Sequence, residues 1–88
     1  MNSELNEKRP EIIYPCSWDY KIIGTNIDKM LEVIEEAAGE HPHDVTPSNI
    51  SLKGKYFSLN LKVTVPNEII RDIIYQKLGD SPFIKVVI

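Results

Sequence analysis

The sequence predicts an α+β domain in which two helices cover one face of a four-stranded antiparallel sheet. Three observations lead to this prediction. Residues 56–65 alternate apolar and polar side chains, which is typical of a strand with one buried face. Residues 27–38 and 68–78 carry apolar side chains at intervals of three and four, which is typical of amphipathic helices. Turn residues separate the segments in the order strand, helix, strand, strand, helix, strand.

Length and composition restrict the class of protein. The chain has 88 residues, of which 42% are hydrophobic and 26% charged, and this balance is typical of one globular domain. Residues 1–11 contain almost no apolar side chain, so we expect a flexible N-terminal tail before a domain over residues 12–88. No apolar run could span a bilayer, the polar start lacks a signal-peptide pattern, and the single cysteine cannot form an internal disulfide. We expect a cytoplasmic protein without membrane contacts.

The first strand is predicted over residues 17–25. Trp18, Tyr20 and Ile22 alternate with polar residues, so these three side chains should face the core. Gly24 marks the end of the strand, where the chain must turn.

The first helix is predicted over residues 27–38. It begins after Asn26 or Thr25, either of which can cap a helix, and it ends at Gly39. Six residues form its apolar face: Ile27, Met30, Leu31, Ile34, Ala37 and Ala38.

The second strand is predicted to follow a loop. Residues 40–47 contain two prolines, which favours irregular structure there. Residues 48–53 then alternate, with Ile50 and Leu52 facing inward. Gly54 supplies the tight turn into the next strand, because glycine tolerates a positive φ.

The third strand, over residues 56–65, is the longest. Its two faces differ in character, since side chains alternate along a strand. The inward face carries Phe57, Leu59, Leu61, Val63 and Val65, and the other face carries Tyr56, Ser58, Asn60, Lys62 and Thr64.

The last two elements are a helix and a strand. Asn67 caps the helix and Gly79 is expected to end it. Its apolar stripe consists of Ile70, Ile73, Ile74 and Leu78. A final strand over residues 83–88 should place Ile84, Val86 and Ile88 on one side, facing the core.

Two split βαβ units of this kind make a ferredoxin-like βαββαβ sandwich when both crossovers are right-handed. We expect the first and third strands in the centre of the sheet, parallel to each other. The sheet face away from the helices would be open to solvent. We predict it as a partner or ligand face, formed by Lys21, Ile23, Tyr56, Ser58, Asn60 and Lys62.

Three stretches of the sequence resemble a known family. YPCSWDYKIIG at residues 14–24, SLKGKYFS at residues 51–58 and VVI at residues 86–88 are similar to the YbeD-like family of small bacterial proteins. The resemblance covers about residues 12–88. It implies the same ferredoxin-like fold and a similarity to ACT-type regulatory modules, which bind small molecules and control other proteins. The family has no established activity, so the resemblance implies no catalytic residue and no cofactor.

Two candidate reactive sites are weaker than their structural alternatives. Residues 40–44, EHPHD, offer two imidazoles and two carboxylates, but neighbouring ligands on one loop make an incomplete metal site, so a polar loop is favoured and no metal is expected. Cys16 could act as a nucleophile with one of these histidines as base, yet a lone cysteine near Trp18 is more often a small buried apolar residue. We therefore predict that the protein is not an enzyme.

The overall charge disfavours nucleic-acid binding. The formal net charge is -3 and the pI is about 5.3, whereas domains that bind phosphate backbones usually have a pI above about 9. Tyr56 with the lysines around it could still stack a base, so RNA binding through the open face stays as the alternative. The favoured function is a small regulatory or binding protein that acts through protein or small-ligand contacts, without a cofactor. The partner and the oligomeric state stay open.

Overall fold

A computed structural model describes residues 11–48 and 54–88 of the chain. Its elements, in chain order, are β1 (Cys16–Gly24), α1 (Ile27–Ala38), β2 (His43–Pro47), β3 (Phe57–Val65), α2 (Glu68–Asp80) and β4 (Ile84–Val87). The four strands form one antiparallel sheet in the order β2-β3-β1-β4, and both helices pack on one face of it. The predicted ferredoxin-like α+β arrangement is confirmed. The predicted tail lies outside the described residues, apart from Glu11.

Strands β1 and β3 are the two central strands, as predicted, but they run antiparallel. Their register extends from Cys16 opposite Val65 to Gly24 opposite Phe57. The expectation that they are parallel is wrong. The crossover through α1 makes β1 and β2 run in the same direction, and β3 pairs antiparallel with β2, so β3 must also oppose β1.

The core lies between the sheet and the helices. One face of β1 and β3 supplies its lower layer, and the buried stripes of α1 and α2 supply its upper layer. The buried residues are Tyr20, Ile22, Met30, Ile34, Ala37, Ala38, Leu59, Leu61, Val63, Val65, Ile74, Leu78 and Ile84. Phe57 lies opposite Gly24 at the end of the sheet, so it keeps 43% of its surface exposed despite its inward position.

Both helices begin at asparagine caps. The side-chain oxygen of Asn26 accepts a hydrogen bond from the backbone N–H of Lys29 at 3.1 Å, and Asn67 does the same for Ile70 at 2.8 Å. Helix α1 ends at Gly39, as predicted, with φ of 59°. Neither helix of the described residues is long and apolar enough to cross a bilayer.

Helix α2 continues past its predicted end. Gly79 lies inside the last turn, and the helix ends at Asp80 with Ser81 as its C-cap. A proline disfavours the helical conformation of the residue before it, which here is Ser81. Pro82 rather than Gly79 therefore determines where this helix ends.

Strand β2 lies earlier in the chain than predicted. It pairs with β3 from His43 opposite Val63 to Pro47 opposite Leu59, within the segment expected to be a loop. Proline is tolerated at an edge strand, where its missing N–H removes no ladder hydrogen bond. The prolines therefore mark a sheet edge here. The predicted strand residues 49–53, with Ile50 and Leu52, lie outside the described residues, and Gly54 has the expected positive φ of 72°.

Strand β4 contains an irregularity that reverses part of its predicted orientation. Ile84 pairs with Gly24, but Val86 already pairs with Ile23, so the chain carries one extra residue between the two pairs. Such a β-bulge shifts the alternation of side chains by one position. Ile84 is therefore buried as predicted, whereas Val86 faces away from the core and the prediction for this residue is wrong.

Candidate functional site

The open face is the surface of the sheet that faces away from the helices. Strand register places twelve described residues there: Ser17, Asp19, Lys21, Ile23, Asp44, Thr46, Ser58, Asn60, Lys62, Thr64, Val86 and Ile88. The list includes five of the six residues predicted for a partner face. The sixth, Tyr56, lies one residue before β3 and has 44% of its surface exposed.

A row of charges crosses one end of the open face. Lys62 on β3 lies between Asp19 on β1 and Asp44 on β2, each directly opposite it in the register. With Lys21, the described strand residues of this face carry two basic and two acidic side chains, so their formal charges cancel. The face offers specific polar contacts, but no general attraction for polyanions.

The other end of the open face is apolar. Ile23 lies opposite Val86, and the backbone of Ile88 pairs with that of Lys21. Val86 has 42% and Ile88 has 70% of its surface exposed. We call Ile23, Val86 and Ile88 the apolar corner. Sequence reasoning placed the last two in the core, because alternation alone does not reveal the bulge in β4.

The histidine pair considered for metal binding has a different structural role. Nδ1 of His43 lies 2.7 Å from the backbone oxygen of His41, and Nε2 lies 3.0 Å from both carboxylate oxygens of Glu35. Both partners are acceptors only, so each contact requires a proton on the ring nitrogen. The ring nitrogens are thus already occupied. In residues 11–48 and 54–88, no group of three His, Cys, Asp or Glu side chains could hold a metal ion.

The His43 contacts predict a pH-dependent stability. The pKa of His43 is raised above 6.5, and the largest cause is the hydrogen bond to the His41 carbonyl. The contact with the Glu35 carboxylate is the next largest cause that raises it, and the charge of Asp44 acts in the same direction. The protonated ring stabilises the fold below pH 6.5, and this contribution is lost as pH rises through the raised pKa. We expect a loss on the order of 0.5 kcal/mol, because Glu35 is exposed.

Urea unfolding at a series of pH values measures this effect. Glu35→Gln should reduce the pH dependence that begins above pH 6.5, and Glu36→Gln, on the same helix, should leave it unchanged. Equal pH dependence in wild type and both variants would contradict the assignment.

Cys16 takes a structural position. It lies in β1 opposite Val65, half-buried against the core. This is the place of a small apolar side chain, which agrees with the favoured interpretation of its sequence context.

A second surface, which we call the aromatic groove, lies between the first half of β1 and α2. It is an open groove of about 640 Å³, which falls in the usual size range of ligand clefts, about 300–1,000 Å³. Its lining consists of Ser17, Trp18, Asp19, Tyr20, Arg71, Asp72, Tyr75 and Ile88.

Arg71 organises the wall of this groove. Its guanidinium stacks over the ring of Trp18, 4.6 Å from the centroid, and donates a hydrogen bond to the Tyr14 hydroxyl at 3.1 Å. It also forms ion pairs with Asp72 at 3.0 Å and Glu68 at 3.5 Å. The charge of Arg71 is therefore balanced inside the molecule.

Tyr20 anchors α2 to the sheet. Its hydroxyl donates a 2.7 Å hydrogen bond to the backbone oxygen of Arg71. Burial raises the pKa of Tyr20 to about 12, so the hydroxyl stays protonated and the bond persists at neutral pH.

Sequence reasoning did not find the aromatic groove. Trp18 and Tyr20 were assigned to the core as inward residues of the first strand, and Tyr75 was not singled out. Arg71 and Tyr75 are four positions apart on a helix, which places them on neighbouring parts of one face. That spacing was the available signal, but the pairing of α2 with β1 was needed to interpret it.

The fold and these surfaces define a small ferredoxin-like α+β domain in which no described helix or strand packs on the second face of the sheet, with an aromatic groove beside that face. Residues 9–88 match a family described as a protein of unknown function, DUF493. The chain belongs to this DUF493 family of small uncharacterised bacterial proteins, also called UPF0250, which confirms the YbeD-like resemblance.

Individual relatives support the same assignment. An uncharacterised Helicobacter pylori protein is 37% identical over 76 residues, which cover 84% of this chain and 86% of the relative. A UPF0250 protein of Yersinia pestis is 31% identical over an alignment of 93 positions, which covers all of both chains. The solution structure of protein HP0495 from H. pylori is similar with a TM-score of 0.77 and 33% identity, and the match covers 94% of this chain and 91% of that one.

Proposed function

We propose that this chain is a small, non-enzymatic binding protein that regulates a protein partner by contacting it through the open face. The observation that carries the proposal is the apolar corner. Val86 and Ile88 keep 42% and 70% of their surface exposed on a sheet face that is otherwise polar. Burying such side chains in a complex is favourable by roughly 25 cal/mol per Å² of apolar surface.

The polar part of the open face would supply specificity. The row of Asp44, Lys62 and Asp19 alternates in charge across three strands. A partner must match this order or leave a charge unpaired, and unpaired charges at an interface are costly. An apolar centre beside a polar rim is the usual anatomy of a protein interface.

Two other proposals have less support. A similarity to ACT-type modules, which only the family resemblance implies, would favour a small ligand near the turn between β1 and α1, but residues 24–28 lack the Pro-Gly pair typical of amino-acid-binding modules. RNA binding would use Tyr56, which lies before β3, and the lysines of the open face, whose charges are balanced by Asp19 and Asp44. The single unpaired cysteine favours the cytoplasm as the compartment.

A charged substitution in the apolar corner tests the proposal. Val86→Lys should reduce recovery of the partner from native lysate by at least about tenfold, because it places a charge in the apolar part of the proposed interface. Ile69→Lys is the matched control, since Ile69 is 69% exposed on α2 and far from this face in the fold.

Protein and nucleic acid are measured separately in the recovered material, after thermal denaturation has shown that both variants fold. Equal recovery of the partner with wild type and Val86→Lys would reject the open face as the interface. Recovery that disappears on RNase treatment would instead favour the RNA alternative.

A further inference from the structure

We propose that the edge of β1 in the aromatic groove, with which no described residue pairs, binds an extended segment of a partner protein that joins the sheet as an additional strand. This is a different surface from the open face, and the inference holds whether or not the open face contacts a partner.

The edge has backbone groups available for pairing. β3 pairs with β1 along its whole length, whereas β4 pairs only with its last part, Ile22 to Gly24. The last contact on this side is between Lys21 and Ile88, which exchange two backbone hydrogen bonds of 3.1 and 2.9 Å. Backbone groups of a strand alternate in direction, so those of Asp19 and Ser17 point to the same edge as those of Lys21.

No residue in the described ranges 11–48 and 54–88 pairs with Asp19 or Ser17 on that side. Unpaired edge groups of this kind are the template that strand addition uses.

The groove beside this edge is already formed. Tyr20 and Trp18 of β1 both contact Arg71, through a hydrogen bond and through stacking, and these contacts fix the distance between β1 and α2. A segment that enters the groove therefore meets a prepared wall, and little of its binding energy is spent on rearranging the protein.

The side chains of the groove define the chemistry of the segment. On one side of an added strand, a residue opposite Asp19 would be its cross-strand neighbour, and opposite charges are favourable there. The groove lining contains two acids, Asp19 and Asp72, and one base, Arg71, so its formal charges leave one negative charge in excess. On the other side, a residue opposite Trp18 would lie near Tyr75, which has 51% of its surface exposed. The segment should therefore alternate basic with aromatic or aliphatic residues.

This chemistry argues against other occupants. A second copy of the chain, paired edge to edge around Asp19, would place the two Asp19 side chains directly opposite each other, and like charges are unfavourable there. Acidic residues in the groove likewise oppose a nucleic acid. An extended, basic and apolar peptide segment is the occupant that fits.

A short peptide serves as the probe. The capped pentapeptide of valine, lysine, phenylalanine, threonine and valine can pair antiparallel with β1, so that its lysine lies opposite Asp19 and its phenylalanine opposite Trp18. Backbone amide chemical shifts of the full-length, isotope-labelled protein are followed by NMR during titration to millimolar peptide. We expect the largest changes at the amides of Ser17 and Asp19.

Two peptides that are methylated at a backbone nitrogen distinguish strand addition from nonspecific binding. A methyl group on the backbone nitrogen of the peptide's lysine removes an N–H that faces β1. This should weaken binding on the order of fivefold, since one hydrogen bond is lost. A methyl group on the backbone nitrogen of the peptide's phenylalanine removes an N–H that faces away from β1. Binding should therefore stay within about twofold of the parent peptide.

Two protein variants complete the test. Asp19→Lys should weaken binding of the parent peptide several-fold, and Asp44→Lys, with the same change of charge on β2, should not. The proposal is overturned if the Ser17 and Asp19 amides do not shift at millimolar peptide, or if both methylations weaken binding equally. It is also overturned if light scattering shows a dimer that Asp19→Lys dissociates, because the edge would then bind a second copy.

Discussion

Leu61→Ala is expected to lower the free energy of unfolding by about 2 to 5 kcal/mol, the usual effect of removing a buried leucine side chain. Leu61 has no exposed surface, and it lies in the middle of β3, opposite Tyr20 on β1 and Val45 on β2. Neighbours on both sides are held in the sheet, so they cannot collapse into the space that the side chain leaves. The expected effect therefore includes the free energy of a cavity as well as the lost burial.

Urea denaturation measures this loss, and the adjacent residue supplies the control. Lys62→Ala changes the next side chain of the same strand, which faces the open side and is exposed. Its effect, and that of Tyr56→Ala, should stay within about 0.5 kcal/mol. A small effect of Leu61→Ala, or a large effect of Lys62→Ala, would contradict the assigned orientation of β3.

Side-chain periodicity predicted the central part of the fold. The alternation in β3 identified the buried residues from Leu59 to Val65, because each of these positions has a regular strand neighbour. The cap at Asn67 was also predicted, and Asn26 was one of the two candidates for the first helix, since a cap depends on residues only a few positions away. These features are local, and local features can be read from one sequence.

The errors concern features that depend on distant parts of the chain. Strand β2 was missed because Pro47 disfavours a strand in general, and only its edge position makes the proline acceptable. The orientation of Val86 was wrong because its register with Ile23 is fixed by pairing with β1. The direction of β3 relative to β1 follows from topology, and that relation was misjudged.

The candidate site was predictable only in part. Lys21, Ile23, Ser58, Asn60 and Lys62 share the open face, since alternation within β1 and β3 determines the face of each residue. The apolar corner and the aromatic groove require contacts between elements: the bulge that exposes Val86, and the packing of Arg71 on Trp18. Whether these surfaces bind a partner stays a prediction.

Gly24→Ala is expected to destabilise the protein by about 1 to 3 kcal/mol, the usual effect of forcing an extra carbon into a packed core. Gly24 ends β1 at the point where α1 and the start of β4 come together. A Cβ atom there would lie 2.5 Å from the backbone oxygen of Phe83 and 2.9 Å from the sulfur of Met30. The Met30 sulfur belongs to a flexible side chain, whereas the Phe83 oxygen belongs to the backbone and cannot move away without shifting the start of β4.

Gly79→Ala is the matched control for this substitution. Gly79 lies inside α2, and a Cβ atom there would meet no atom within 4 Å. Alanine favours a helix over glycine by roughly 0.5 to 1 kcal/mol, so this variant should be more stable than wild type. Opposite shifts of the two thermal midpoints are therefore expected. If Gly24→Ala unfolds at the wild-type temperature, the close approach of the Phe83 backbone to β1 at this residue is incorrect, because a backbone oxygen at 2.5 Å cannot absorb the added atom.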